Sequence, residues 1–103
     1  MKPLGMHNYY VYILTNIHKT TLYIGVTNSI GNRIAQHKAD AMGEKRTFAG
    51  RYNCYYPIYI EHFQYINNAI AREKELKGWT RDKKEALINS VNPEWKFLNE
   101  NWE

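Results

Sequence analysis

Five side chains in this chain of 103 residues have the types and spacing to do chemistry. Tyr12 and Tyr23 lie in two short apolar runs, Tyr10-Val11-Tyr12 and Tyr23-Ile24-Gly25. Arg33 and His37 follow one helical turn apart, and Glu73 lies well downstream. Together they could cleave a phosphodiester. A lone carboxylate such as Glu73 can hold one Mg²⁺ or Mn²⁺, because hard cations prefer oxygen and keep most of their waters. Such an ion polarises a phosphoryl oxygen or stabilises a leaving oxygen. The Arg33 fork can neutralise charge growing on the phosphate. A tyrosine could take a proton from the attacking water. Its ordinary pKa is ~10, so positive charge from the metal, Arg33 or a protonated His37 has to help. The competing explanation is structural: a buried Arg33–Glu73 ion pair, with tyrosine hydroxyls satisfying the spare groups.

The elements that must position these residues can be read from periodicity. Residues 9–15 are rich in Tyr, Val and Ile and read as a strand. Their apolar side chains fall on both parities, so both faces should be covered. Residues 16–19 read as a turn, and residues 21–26 as a second strand, giving an antiparallel hairpin. A four-residue turn makes Thr15 face Thr20 and Tyr12 face Tyr23, on one side of the sheet. A slip by one residue would split the pair. Thr27, Asn28 and Ser29 are N-cap candidates for a helix from residue 29 to about 41. Ile30, Ile34 and Ala41 form its apolar stripe, and Arg33 and His37 share that stripe. An arginine aimed at the core side needs an anion or a carboxylate.

Residues 39–53 have weak periodicity and read as a long basic loop carrying Lys45, Arg46 and Arg51, either solvated or in contact with phosphate. Residues 54–63 read as a third strand, with Pro57 near its start or on an edge. A second helix spans 66–77, with Glu73 on the side defined by Ile66, Ala69 and Ile70. Gly78 breaks it, and Thr80 can cap a third helix from 81 to about 89. Residues 1–7 read as a tail. Trp95, Phe97, Leu98 and Trp102 form an aromatic tail that folds back on the domain. The order β-β-α-β-α-α gives an α+β domain.

Composition narrows the setting. At 44% hydrophobic and 23% charged, the chain fits one globular domain with a modest core. Fourteen basic against ten acidic residues give a net charge of +4, which suits a polyanion such as nucleic acid. Nine tyrosines provide apolar area with a polar handle, suited to half-buried clefts and stacking surfaces. Cys54 is the single cysteine, so no internal disulfide forms and a reducing compartment is expected. No cysteine–histidine cluster has zinc spacing. No apolar run approaches the roughly 18 residues of a membrane span, and the N-terminus lacks the apolar centre of a signal peptide. The expected location is cytoplasmic, with no membrane partner.

The paired tyrosine motifs, with Arg33, His37 and Glu73 in order behind them, resemble the GIY-YIG nuclease superfamily. The resemblance is to its small stand-alone bacterial members, similar to the N-terminal nuclease domain of the DNA repair excinuclease. It covers roughly residues 8–95, and the segment GWTRDKKEALI at 78–88 also resembles the stand-alone group. It implies a three-stranded antiparallel sheet flanked by helices, and Mg²⁺- or Mn²⁺-dependent hydrolysis of nucleic-acid phosphodiester bonds. By position, Tyr12 and Tyr23 are the motif pair, one of them the base. Arg33 stabilises the scissile phosphate, Glu73 binds the metal, and His37 assists the tyrosine. Gly25 lets the backbone approach the nucleic acid.

The chain also departs from the pattern. Tyr10 replaces the first motif's glycine, and Val26 stands where some repair members place lysine. The family asparagine is either Asn89 or Asn92. A single domain over residues 1–103 is expected, without the separate DNA-binding domain of larger members. Capture of DNA, with RNA an open alternative, is left to Gly25, Lys45, Arg46 and Arg51, exposed tyrosines, or a protein partner that supplies specificity. The function expected is a DNA endonuclease acting on structured, damaged or single-stranded substrates. The alternative is a nucleic-acid-binding module of the same fold that cuts little.

Overall fold

Apolar residues on both parities make the first strand the centre of the sheet. In the computed structural model, which describes residues 6–45 and 47–98, β1 (Met6–Thr15) lies between β2 (Leu22–Thr27) and β3 (Tyr56–Tyr65), antiparallel to both. Val11 and Ile13 are buried on one face, Tyr12 and Leu14 on the other. β1 begins at Met6, so residues 6 and 7 belong to the sheet rather than to a tail.

The hairpin differs from the expected register. Thr15 pairs with Leu22, so the connection is the six residues 16–21. The cause is Asn16, whose Oδ1 accepts from the backbone N–H of Thr20 at 2.8 Å and of Thr21 at 3.0 Å. Lys19 completes the turn at φ 59°. Tyr12 therefore faces Gly25, and Tyr23 faces Leu14. The shift is by an even number of residues, so both tyrosines still share a face.

α1 (Ile30–Met42) follows with Ser29 at its N-cap, and Ile30, His37 and Ala41 are buried. The stretch expected as a long loop is more ordered. α1 runs to Met42, and a short helix, α2 (Phe48–Arg51), starts at Thr47, whose Oγ1 accepts from the Gly50 N–H at 3.0 Å. A single helical turn is too short to show periodicity. Arg46 lies outside the described residues.

β3 starts two residues later than expected and is an edge strand, which accommodates Pro57. Leu14 pairs with Pro57 and Ile13 with Tyr59, so Ile58 is an extra residue. This bulge leaves Ile58 and Tyr59 in the same core cluster. α3 (Ile66–Lys77) has the expected bounds. α4 (Arg81–Val91) is capped by Thr80, whose hydroxyl accepts from the Lys83 N–H at 3.3 Å, and ends at Asn92.

The sheet separates two layers. Val11, Ile13 and Ile24 pack with Ala69 and Leu76 of α3 and Ile88 of α4. Tyr12 and Leu14 pack with Ile30 of α1, Ala49 of α2 and Cys54. Trp95 and Phe97 pack on the first cluster, and the Leu98 N–H donates to the Pro57 carbonyl at 2.7 Å, so the aromatic tail does fold back. Trp102 lies outside the described residues. Among the described residues, no helix is long and apolar enough to cross a membrane.

Candidate active site

The Tyr12 face of the sheet and the inner stripe of α1 build the site. The Tyr12 hydroxyl lies 3.0 Å from His37 Nε2, and Tyr12 is 1% exposed. The Tyr23 ring meets His37 edge-on, with centroids 5.1 Å apart, and lies 6.3 Å from the Tyr12 ring. Gly25, opposite Tyr12 in the sheet, makes room for the phenol: a Cβ there would fall 2.4 Å from the Tyr12 hydroxyl. The open space at Gly25 is thus filled by Tyr12 of the same chain, not left for a nucleic-acid backbone.

Burial sets the charge state of this pair. It pushes the Tyr12 phenol up to about 12, against the pull of Arg33, and the charges of Tyr23 and Glu73 push it the same way. Burial and the neighbouring Arg33 cation push His37 down to about 4, with Asp40 opposing. His37 is therefore neutral at pH 7, so of the three sources of positive charge read from the sequence, the metal, Arg33 and a protonated His37, it is not the one that helps the tyrosine. It offers a proton acceptor instead. With the ring proton on Nδ1, Nε2 accepts from the Tyr12 hydroxyl.

Arg33 stands beside both tyrosine hydroxyls, which raise its pKa, Tyr12 most. Its Nη1 donates to Gln36 Oε1 at 2.9 Å. It lines two open grooves. One, about 580 Å³, runs along Thr27, Asn28, Asn32 and Gln36. The other, about 310 Å³, lies between Tyr9, Val26, Ile66 and Ile70. A guanidinium at the meeting of two solvent-open grooves, with tyrosine hydroxyls next to it, can receive a phosphate.

Glu73 comes from α3, the helix on the other face of the sheet, and its charge still acts on Tyr12. No Arg33–Glu73 ion pair occurs among the described residues; Glu73 Oε2 pairs with Lys77 Nζ at 3.2 Å. The structural alternative of a buried Arg33–Glu73 pair is not what the chain builds. The Lys77 ammonium occupies this carboxylate, and a metal ion there would have to displace the lysine side chain, which is 52% exposed. One hard oxygen donor suits Mg²⁺ or Mn²⁺ with a mostly aqueous shell. Among the described residues, no group of three or more His, Cys, Asp or Glu could form a closed cage.

The remaining sequence candidates are scattered. Lys45 and Arg51 are exposed on either side of Thr47, and Arg46 is outside the described residues. Neither asparagine is free. Asn92 donates to the carbonyls of Ile58 at 2.8 Å and Lys96 at 3.0 Å and accepts from the Lys96 N–H. Asn89 accepts from the Trp95 indole at 2.6 Å. Both hold the C-terminal segment. Sequence reasoning missed Lys77 and Phe48. Lys77 stands four residues after Glu73, a spacing that signals an ion pair. Phe48, stacked on Tyr23 with centroids 6.2 Å apart, sat in a stretch without periodicity.

Residues 8–86 match the family described as the GIY-YIG catalytic domain. The sequence is 33% identical to a UPF0213 protein of Natronomonas pharaonis, over 79% of this chain and 91% of that one. It is 34% identical to a UPF0213 protein of Bacillus pumilus, over 91% of this chain and 92% of the relative. The solution NMR structure of a UPF0213 protein from Bacillus halodurans has a TM-score of 0.51 and 33% identity, covering 82% of this chain and 86% of that one.

Proposed function

This chain belongs to the GIY-YIG catalytic domain family, a nuclease family, and from that premise we propose that it is an endonuclease that hydrolyses phosphodiester bonds in DNA with a divalent metal. The observation that carries the reading is the Tyr12–His37 hydrogen bond of 3.0 Å, with the histidine held neutral. A phenol with a pKa of about 12 is a poor base by itself. The neutral imidazole beside it gives the phenol's proton an acceptor, one that burial and the Arg33 cation make a weak base. As the attacking water gives a proton to the Tyr12 oxygen, the phenol's own proton passes to His37 Nε2. The water oxygen bonds to phosphorus, the bond to the leaving oxygen breaks, and that oxygen keeps the electron pair and is protonated from solvent. Arg33 neutralises charge gathering on the phosphoryl oxygens. Tyr23, at the half-buried edge of the cluster, orients the water or the phosphate. Glu73, once freed from Lys77, would be the residue to hold a Mg²⁺ or Mn²⁺, which would supply Lewis acidity.

GIY-YIG nucleases generally use divalent metals, and the open grooves at Arg33 suit a polyanionic strand. The net charge of +4 adds a weak general attraction. Structured, damaged or single-stranded DNA is the substrate class, and RNA is the alternative. A second reading, a binding module that does not cut, draws support from the Glu73–Lys77 pair, which competes with a metal.

Incubating the purified protein with Mg²⁺ or Mn²⁺ and flapped, nicked, single-stranded and duplex DNA separates the two readings. Hydrolysis predicts metal-dependent products whose rate of formation Arg33→Ala sharply lowers. Binding that survives Glu73→Ala, with no product from the parent protein, supports the module instead.

A further inference from the structure

A groove beside the tyrosine pair combines aromatic and cationic linings. Leu22, Tyr23, Ile24, Phe48, Lys77 and Lys84 enclose about 290 Å³, near the lower end of the ~300–1,000 Å³ common for ligand clefts. It spans the edge of β2, with side chains from both layers. The Phe48 ring stacks on Tyr23 at an interplanar angle of 25°, and Tyr52 leans on Phe48 with centroids 4.7 Å apart. Yet Phe48 is 52% and Tyr52 46% exposed.

This shelf is fixed in place. Asp40 Oδ2 accepts from the Thr47 N–H at 3.1 Å and from its hydroxyl, and Thr47 in turn caps α2. A Cβ on Gly50 would fall 2.0 Å from the same carboxylate oxygen, so α2 packs as closely on α1 as a glycine allows. The short helix buries Ala49 and Gly50 and leaves the phenylalanine outside. Lys77 and Lys84 bring two ammonium groups from α3 and α4, and Lys84 has no ion pair among the described residues.

We propose that this groove is a subsite for one unpaired nucleotide of a nucleic-acid strand, its base stacked on Phe48 and its phosphate held by Lys77 and Lys84. The proposal rests on the nuclease reading of the neighbouring site and specifies its substrate. An apolar protein segment would cover the Lys84 ammonium, which has no ion pair among the described residues, and the Lys77–Glu73 pair without giving either a partner. A base pair inside a duplex keeps its faces covered by its neighbours and cannot offer one to Phe48. An unpaired base offers its face to the ring, and its phosphate meets the lysines. Because Tyr23 belongs both to this groove and to the His37 cluster, the strand continues from the subsite to the Arg33 grooves.

The test uses oligonucleotides with 2-aminopurine replacing one adenine, without divalent metal so that nothing is cut. Single-stranded DNA should bind with quenching of the fluorescent base. Phe48→Ala and Phe48→Leu should bind about tenfold more weakly and lose the quenching, while Phe48→Tyr keeps both. Lys84→Ala should reduce the dependence of log affinity on log salt by about one phosphate contact. Retained affinity and quenching in folded Phe48→Leu overturns the proposal. So does equal quenching in duplex, or binding of the free 2-aminopurine nucleotide as tight as that of the strand. If Phe48→Ala and Phe48→Leu do not fold, an unchanged salt slope in Lys84→Ala overturns it. Adding Mg²⁺ or Mn²⁺ afterwards tests the nuclease reading separately. Stacking without cleavage defeats hydrolysis and leaves the subsite standing; cleavage without Phe48-dependent stacking defeats the subsite alone.

Discussion

The hydroxyl of Tyr12 and Nε2 of His37 stand 3.0 Å apart at a place where both side chains are almost wholly buried. Burial alone would make each a poor proton carrier, one too weak an acid and the other too weak a base. Paired, the phenol's proton has a destination.

That pairing depends on Gly25. An added methyl would meet the phenol oxygen and its carbon, at 2.4 and 2.5 Å, so the buried Tyr12 ring would have to shift. Gly25→Ala should lose about 1–3 kcal/mol in urea unfolding from overpacking. It should also lose most cleavage activity, because the phenol is pushed off His37.

Arg33 is expected to act through its planar fork. Arg33→Ala should lower the cleavage rate by about 10²–10³-fold, the range for removing a charge-stabilising donor. Arg33→Lys should recover only a small part, since an ammonium cannot bind two phosphoryl oxygens in parallel. Melting temperatures should fall modestly, because the Arg33–Gln36 bond is exposed but the contacts of Arg33 with the Tyr12 and Tyr23 hydroxyls are lost.

The Glu73–Lys77 pair gives a prediction about metal binding. With the competing ammonium removed, Lys77→Ala should bind Mn²⁺ more tightly in the absence of DNA, read by loss of the free-ion EPR signal. Glu73→Gln should bind it more weakly. Opposite directions in the two variants are the signature of one cation position at this carboxylate.

The buried neutral histidine makes stability depend on pH. Its folded pKa, about 4, lies below the ordinary 6.5, so the unfolded chain binds more protons between these values. His37's contribution is fully present above about pH 6.5 and is lost as pH falls toward 4. The loss should be on the order of 3 kcal/mol. Urea unfolding of the parent protein should show it, and His37→Asn should show a flatter dependence over the same window. The difference between the two profiles isolates this group from the carboxylates that also titrate there.

Much of this architecture was legible in the sequence because it rests on periodicity. β1 has apolar residues on both parities and became the central strand. Arg33 and His37 share the stripe of Ile30 and Ala41, and α1 presents them to the sheet. The hairpin register was not legible, because it depends on one side chain, Asn16, bonding two backbone amides across the turn. Nor was α2, a single turn fixed by the contact of Asp40 with Thr47 and Gly50. The neutral state of His37 required knowing its burial, which helical spacing suggests but cannot measure. Glu73 was read as one site with Tyr12 and Arg33, on the apolar side of its helix, yet that side of α3 packs on the layer opposite Tyr12. A helix's apolar side says that it docks, not which face of the sheet it docks on.

The most direct test of the account is the single-turnover rate of DNA cleavage with saturating metal, for Tyr12→Phe beside Tyr23→Phe. Tyr12→Phe should fold, losing about 1–3 kcal/mol because the buried His37 Nε2 is left without its donor. Its rate should fall by about 10²–10⁴-fold, the range for losing a proton-transfer group. Tyr23→Phe should fall less. A Tyr12→Phe protein within about threefold of the parent rate, far short of that range, would contradict the relay.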